Sequence, residues 1–379
     1  MPSEVRLPTH ALLVAALVAM LTPLTNAARA QDTTRRGVVV GLTYDPSSRP
    51  GIIVLPVSGV FGDSIRSILQ RDLDYSDRFG VIPIEVPGSA VNYPLFTRLG
   101  ARVVVQATVA HGSLHVALHN VEKQGVSNVD DFPLPDRANS HEWRMAVHGV
   151  ADEIERWITG QKGISQTRIA YMDGSRLRIV DSDGEGDESI PVAANALSPA
   201  WNPASTMIAY STWGTTSRIM VGDLRTRRSR ALANATPTNT NLSPVFSVDG
   251  ASIVYSHAGE SGTDLYLVPV ADDAPARRLS VGQADNVGPT FSPDGRKIAF
   301  TSGRPGHPEI YIMDADGTNA DLLTSFDFGD KNYRSDPDWS PDGRLLAFQS
   351  QSPDGRFQIM TISLRDRGTK VHTSDGSNE

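Results

Sequence analysis

From residue 165 onward the apolar positions arrive in short bursts at a regular spacing. Ile208-Ala209-Tyr210, Ile253-Val254-Tyr255, Ile298-Ala299-Phe300 and Leu346-Ala347-Phe348 each read as a short strand. Each follows a segment of one type: Pro199-Ala200-Trp201-Asn202-Pro203, Pro244-Val245-Phe246-Ser247-Val248-Asp249-Gly250, Pro289-Thr290-Phe291-Ser292-Pro293-Asp294-Gly295 and Pro337-Asp338-Trp339-Ser340-Pro341-Asp342-Gly343. An alternating strand comes next, as in Glu309 to Asp314, then a turn such as Ala315-Asp316-Gly317, then a last strand, Leu322-Leu323-Thr324. A fifth copy, Ile169-Ala170-Tyr171, comes first and lacks the Pro-x-aromatic segment. Four short strands per unit of roughly 45 residues predict the blades of a β-propeller. Period-two alternation opposes a helical solenoid, and four copies of one turn oppose a sandwich. Pro-Asp-Gly suits a tight turn, because Pro sets φ at one corner and Gly accepts a positive φ at the other. The aromatic ahead of it is sized to fill the wedge between blades.

Residues 31–160 carry a different pattern, that of a small α/β domain. Arg36 to Leu42 and Gly51 to Val57 read as strands, and Gly62 to Leu73 has helical spacing through Ile65, Ile68, Leu69 and Leu73. Arg102 to Ala110 and Ser113 to Asn120 predict a hairpin turning at His111-Gly112. Ser140 predicts the N-cap of a helix with an apolar face of Trp143, Val147, Val150, Ile154 and Trp157, stopped by Gly160. The division expected is 1–30, 31–160 and 161–379, with the junction near Gln161 to Gln166.

The first thirty residues set the expected compartment. Arg6 and His10 precede the apolar run Ala11 to Leu21, then Thr22-Pro23 and Ala28-Arg29-Ala30, the form of a cleavable secretory signal. As a membrane anchor the run is short, rising only ~16 Å, about half the hydrocarbon thickness. No later segment is apolar enough to span, so an exported protein without a membrane span in its mature form is expected.

Composition narrows the chemistry. With 35 Lys+Arg against 43 Asp+Glu the formal charge is −8, and no basic stretch is interleaved with stacking aromatics, which argues against nucleic acid. The 379 residues include no cysteine, removing disulfides, thiolate nucleophiles and Cys-ligated metal. No Gly-x-Ser-x-Gly elbow occurs, so a propeller-bearing serine peptidase lacks its nucleophile. His141-Glu142-Trp143-Arg144-Met145 starts like a zinc protease motif, but Met145 stands where the second His is needed. Asp181-Ser182-Asp183-Gly184-Glu185-Gly186-Asp187 imitates the start of a calcium loop, yet Val192 replaces the bidentate Glu, so a solvated inter-strand turn is expected. No catalytic residue, cofactor or metal is assigned.

An α/β domain followed by Pro-x-aromatic-Ser-Pro-Asp-Gly blades resembles the TolB family. Within the first domain, Arg49-Pro50-Gly51-Ile52-Ile53-Val54-Leu55-Pro56-Val57 is similar to a family strand. At the junction, Thr159-Gly160-Gln161-Lys162-Gly163 and Thr167-Arg168-Ile169-Ala170-Tyr171 resemble the family closely. The resemblance implies a periplasmic, non-enzymatic adaptor of the Tol–Pal system, acting in outer-membrane integrity and constriction at division. It implies a Pal-like peptidoglycan-associated lipoprotein bound on the propeller and a TolA-like inner-membrane protein bound by the mature amino-terminal segment. Here that segment is Gln31, Asp32, Thr33, Thr34, Arg35 and Arg36, which on pattern alone equally suits a leader or a covering strand. The family closes six blades, whereas this sequence shows five Ile-Ala-Tyr-type strands and reaches Asp375-Gly376-Ser377-Asn378-Glu379 where another Pro-x-Trp is expected. A monomer is expected.

Blade geometry orders the connections. Loops from the last strand of one unit to the first of the next, with those between second and third strands such as Gly303 to Pro308, share one face; the Asp-Gly turns occupy the other. On the first face fall Asn195 to Ser198, Thr240 to Ser243, Asn286 to Gly288 and Tyr333 to Asp336. Loops on a rigid ring are usual binding positions. Asn195, Ser198, Thr240, Asn241, Ser243, Asn286, Val287, Arg334 and Ser335 are therefore the expected mouth, corresponding by resemblance to the Pal-binding surface. Charge reversal at Arg334 together with a bulky change at Ser243 is expected to weaken binding of the Pal-like lipoprotein while sparing folding. A small ligand or glycan in the channel is the alternative role.

Overall fold

The computed structural model describes residues 49–373, apart from 86, 87, 89, 193, 194, 272, 273, 281–283, 325–332 and 353. The expected signal sequence, the expected strand Arg36 to Leu42, the amino-terminal candidates Gln31 to Arg36 and the stretch Asp375 to Glu379 lie outside the described residues.

The first part of the chain is one mixed sheet. Its elements are β1 (Gly51–Val54), α1 (Gly62–Tyr75), β2 (Gly80–Val81), α2 (Tyr93–Arg98), β3 (Ala101–Ala110), β4 (Ser113–Asn120), β5 (Gly125–Pro133) and α3 (His141–Thr159). The order is β2-β1-β3-β4-β5; β1 runs parallel to β2 and β3, and the other pairs are antiparallel. The hairpin turns at His111-Gly112, both with positive φ, matching the twist of its strands. The first strand is shorter than the sequence suggests, because Pro56 has no N–H to continue a ladder. Helix α3 starts where expected: the Ser140 side chain accepts from the Trp143 N–H at 3.2 Å, and Gly160 ends it in the left-handed conformation. One sheet face buries Ile52, Val54, Val103 and Val105 against Leu69 of α1 and Val147 and Ile154 of α3. The other face buries Ile53, Leu55 and Val104 against Phe96 of α2.

Five sheets follow. The first is β6 (Arg168–Asp173), β7 (Arg176–Asp181) and β8 (Glu188–Ile190). The second is β9 (Ala196–Trp201), β10 (Met207–Thr212), β11 (Arg218–Asp223) and β12 (Arg228–Asn234). The third is β13 (Thr240–Phe246), β14 (Ser252–Gly259), β15 (Gly262–Pro269) and β16 (Arg277–Arg278). The fourth is β17 (Asn286–Phe291), β18 (Lys297–Ser302), β19 (Glu309–Asp314) and β20 (Asp321–Leu322). The fifth is β21 (Arg334–Trp339), β22 (Leu345–Gln351), β23 (Phe357–Ser363) and β24 (Thr369–Val371). All pairs are antiparallel meanders, and the architecture is a five-bladed β-propeller after an α/β region. The sixth blade implied by the resemblance is absent from the described residues. The first strand of each four-stranded blade packs on the blade before it: β9 on β6, β13 on β9 and β10, β17 on β13, and β21 on β17 and β18. The motif aromatics fill these wedges, Trp201 against Leu177 and Ile179, and Phe246 against Ala209 and Ile219. No comparable packing joins β21–β24 to β6–β8 among the described residues.

Candidate partner-binding face

The strand registers place the expected loops together. Thr212 pairs with Ala196, Ala258 with Thr240, Ser302 with Asn286 and Ser350 with Arg334, so the ends of the second strands are level with the starts of the first. The connections into the first strands and those between second and third strands thus share one face. A bulge interrupts each first strand near the residue before its motif proline. That residue is Ser198, Ser243, Gly288 or Asp336, with φ of 49°, 50°, 60° and 53°. Left-handed backbone recurring at one step re-aims the strand at the rim.

The mouth residues are distributed unevenly over this face. They lie inside or beside the opening strands rather than in free loops. Asn195 and Ser198 are exposed, and Thr240, Ser243 and Val287 half-buried. Asn241, Asn286 and Ser335 are buried, which corrects the expectation that their side chains line an open mouth. Asn241 Oδ1 accepts from His257 Nδ1–H, 2.7 Å away, and its backbone exchanges hydrogen bonds with the Ser217 hydroxyl. Asn286 donates to the Ala284 and Thr263 carbonyls and accepts from Ser302 Oγ at 2.9 Å. Ser335 donates to Asp336 Oδ2 at 2.8 Å. These groups hold the rim together from behind.

Arg334 also differs from expectation. Its guanidinium lies 2.9 Å from Glu309 Oε2 in the preceding blade, and Glu309 is fully buried, bonded also by Thr324 and at 3.1 Å by His307. Reversing the charge at Arg334 would strand a buried carboxylate, so this residue is part of the frame. Its arginine identity carried no local sign of that burial.

Two rim features escaped the sequence reading. Trp213, in the β10–β11 connection, is exposed in spite of its size. A polar hollow of about 400 Å³ opens between Thr236, Asn239, His257, Glu260, Asp264 and Arg278. Burial lowers the His257 pKa, with Asp264 opposing. The opposite face holds the Ser-x-Asp-Gly turns in one repeated arrangement: Ser247, Ser292 and Ser340 donate to Asp249, Asp294 and Asp342, each at 2.6 Å. Those serine bonds, with backbone N–H donors behind them, hold the three carboxyls below the usual range.

The profile of the TolB beta propeller domain family matches residues 155–379. The chain belongs to this TolB β-propeller family. Tol-Pal system protein TolB of Bordetella pertussis and that of Bordetella bronchiseptica are each 28% identical over 279 residues, 70% of this chain. The match spans 62% of the length of those relatives. The crystal structure of TolB from Acinetobacter baumannii shares the fold, with a TM-score of 0.74 over 89% of this chain and 86% of that one at 23% identity.

The junction segment that resembles TolB has a physical basis here. Asp152 of α3 accepts from the Ser165 and Gln166 N–H groups at 2.6 and 3.0 Å, and its carbonyl accepts from Gly163 N–H at 3.2 Å. A Cβ on Gly163 would stand 2.5 Å from Asp152 Oδ1 and 2.8 Å from Glu155 Oε1, so glycine is required by close approach. The calcium-like loop is solvated over Gly184 to Asp187, as expected, but its first two acids turn inward. Asp181 and Asp183 are buried against α3, paired with Arg144 at 3.1 and 2.7 Å, while His141 reaches Asp181 at 3.0 Å and His148 reaches Asp183 at 3.2 Å. Burial opposes the charge on Asp183, but the Glu185 N–H, Arg144, His148 and Arg71 outweigh it and hold the carboxyl below its ordinary value. Asp181 and Asp183 therefore join this TolB propeller to α3.

Proposed function

We propose that the chain is a periplasmic, non-enzymatic adaptor of the Tol–Pal envelope system, acting as a monomer that links a TolA-like inner-membrane protein to a Pal-like lipoprotein. The observation that carries this reading is membership of the TolB propeller family together with a rim whose exposed side chains stand on an internally bonded frame. Asn195, Ser198, Thr240, Ser243 and Val287 contact the lipoprotein, with Asn241, Asn286, Arg334 and Ser335 holding them in place. Gln31 to Arg36 engage the TolA-like partner. The test is calorimetric titration with the soluble domain of the Pal-like lipoprotein. Thr240→Trp should weaken binding by about tenfold or more with an unfolding midpoint little changed; undiminished affinity overturns the rim assignment. A second reading, a small polar ligand or glycan, is favoured by the hollow beside His257. Capture of a glycan without any lipoprotein would select it.

A further inference from the structure

A cleft of about 310 Å³ lies away from the rim, between the end of α1, α3, the junction segment and the first blade. Its outer walls are apolar and open to solvent: Tyr75 is 77% exposed, Ile164 71% and Ile169 53%. Such a volume is at the small end for ligand sites and suits one side chain better than a sugar or nucleotide.

Glu155, on α3, lines this cleft and is 1% exposed. Its Oε2 is 3.4 Å from Arg78 Nη1, but Oε1 has no hydrogen-bond partner among the described residues. A buried carboxylate oxygen without a donor is costly and calls for a compensating group. The neighbouring acids are already served: Asp72 by Arg71 at 2.9 Å and His148 at 2.6 Å, Asp183 by Arg144 and His148, and Asp152 by two backbone N–H groups. Glu155 is thus the acid of the cleft with capacity to spare.

We propose that this cleft receives the guanidinium or ammonium head of a partner peptide's basic side chain, whose charge meets the Glu155 carboxylate while its alkyl stem lies along Tyr75, Ile164 and Ile169. Long basic side chains place an apolar stem and a charged head in this order. Charge-assisted bonds to a carboxylate are the strong kind. Burial pushes the Glu155 carboxyl up to about 7; Arg78 opposes this, and Asp152 and Asp72 add to it. A bound cation therefore favours the ionised form, and binding tightens as Glu155 loses its proton. This inference is independent of the rim and of the Tol–Pal reading.

The test uses the full chain with N-acetyl-arginine methylamide and its citrulline counterpart, an uncharged isostere, followed through the Ile164 and Ile169 methyl signals by NMR. The arginine compound should shift both methyls saturably, bind about tenfold more tightly than the citrulline compound, and bind more tightly at about pH 8 than at about pH 6. Glu155→Gln should abolish the preference and the pH dependence. Equal binding of the two compounds, absence of saturable shifts, or a preference that survives Glu155→Gln overturns the proposal. The wild-type comparison needs no variant to fold.

Discussion

Arg334 and Glu309 join two blades through a buried ion pair, Nη1 to Oε2 at 2.9 Å, with the carboxylate fully excluded from solvent. Removing one partner of such a pair costs more than the pair contributes, because the other charge stays buried and uncompensated. Arg334→Ala should lower the unfolding free energy by about 3 kcal/mol, and Arg334→Glu by more. Urea denaturation checks this; a change below about 0.5 kcal/mol would show that the pair is solvated.

His148 is the corresponding bridge between α3 and the first blade. Its Nδ1 is 2.6 Å from Asp72 Oδ2 and its Nε2 is 3.2 Å from Asp183 Oδ2, and the side chain is wholly buried. His148→Ala leaves two buried carboxylates without their shared partner and a void between them. We expect a loss of about 3 kcal/mol, together with faster amide exchange in Asp181 to Glu185. Unaltered exchange there would mean that the loop is held without the imidazole.

Glu155 gives stability a pH dependence of unusual sign. Its folded carboxyl titrates at about 7 against an ordinary value of 4.5, so between these values the folded chain holds more protons than the unfolded one. Stability from this group falls as pH rises through that window and levels off above it. Discounting for solvent screening, the fall is about 2 kcal/mol. Glu155→Gln should flatten the slope between the two pH values in denaturation series; a slope equal to that of the wild type would locate the titration elsewhere.

Gly163 tests the close approach at the junction. In Gly163→Ala the new methyl meets Asp152 Oδ1, Glu155 Oε1 and, at 2.9 Å, the Asp152 Cα, the last being backbone that cannot swing aside. The expected cost is about 2 kcal/mol by thermal or urea unfolding. Gly160→Ala, with φ of 78° but open space around its Cβ, should cost less, about 1 kcal/mol. Reversal of that order would contradict the contact.

What the sequence made legible was local. The blade strands, the His111-Gly112 turn, the Ser140 cap and the Gly160 stop all follow from periodicity and from residues whose preferred backbone angles act within a few positions. The short helix α2 and the strand β5 were not legible. Tyr93 to Arg98 is too brief for a helical period, and β5 is an edge strand whose Val126 and Val129 face solvent. The burial of Asp181, Asp183 and Arg334 was illegible for another reason: His141, Arg144, His148 and Glu309 stand 25 to 40 residues from the groups they meet, and no spacing rule connects them. The rim was found as a region, but which of its polar side chains turn inward depended on those distant pairings.

The left-handed step at Ser198, Ser243, Gly288 and Asp336 separates shape from identity at the rim. Curvature is written into the main chain at the same rung of four successive blades, so neighbouring side chains are spared the work of shaping the opening. Evolution or a laboratory library can therefore exchange the rim positions that are not fully buried, Thr240 and Val287 among them, and change what is recognised while the aperture keeps its contour.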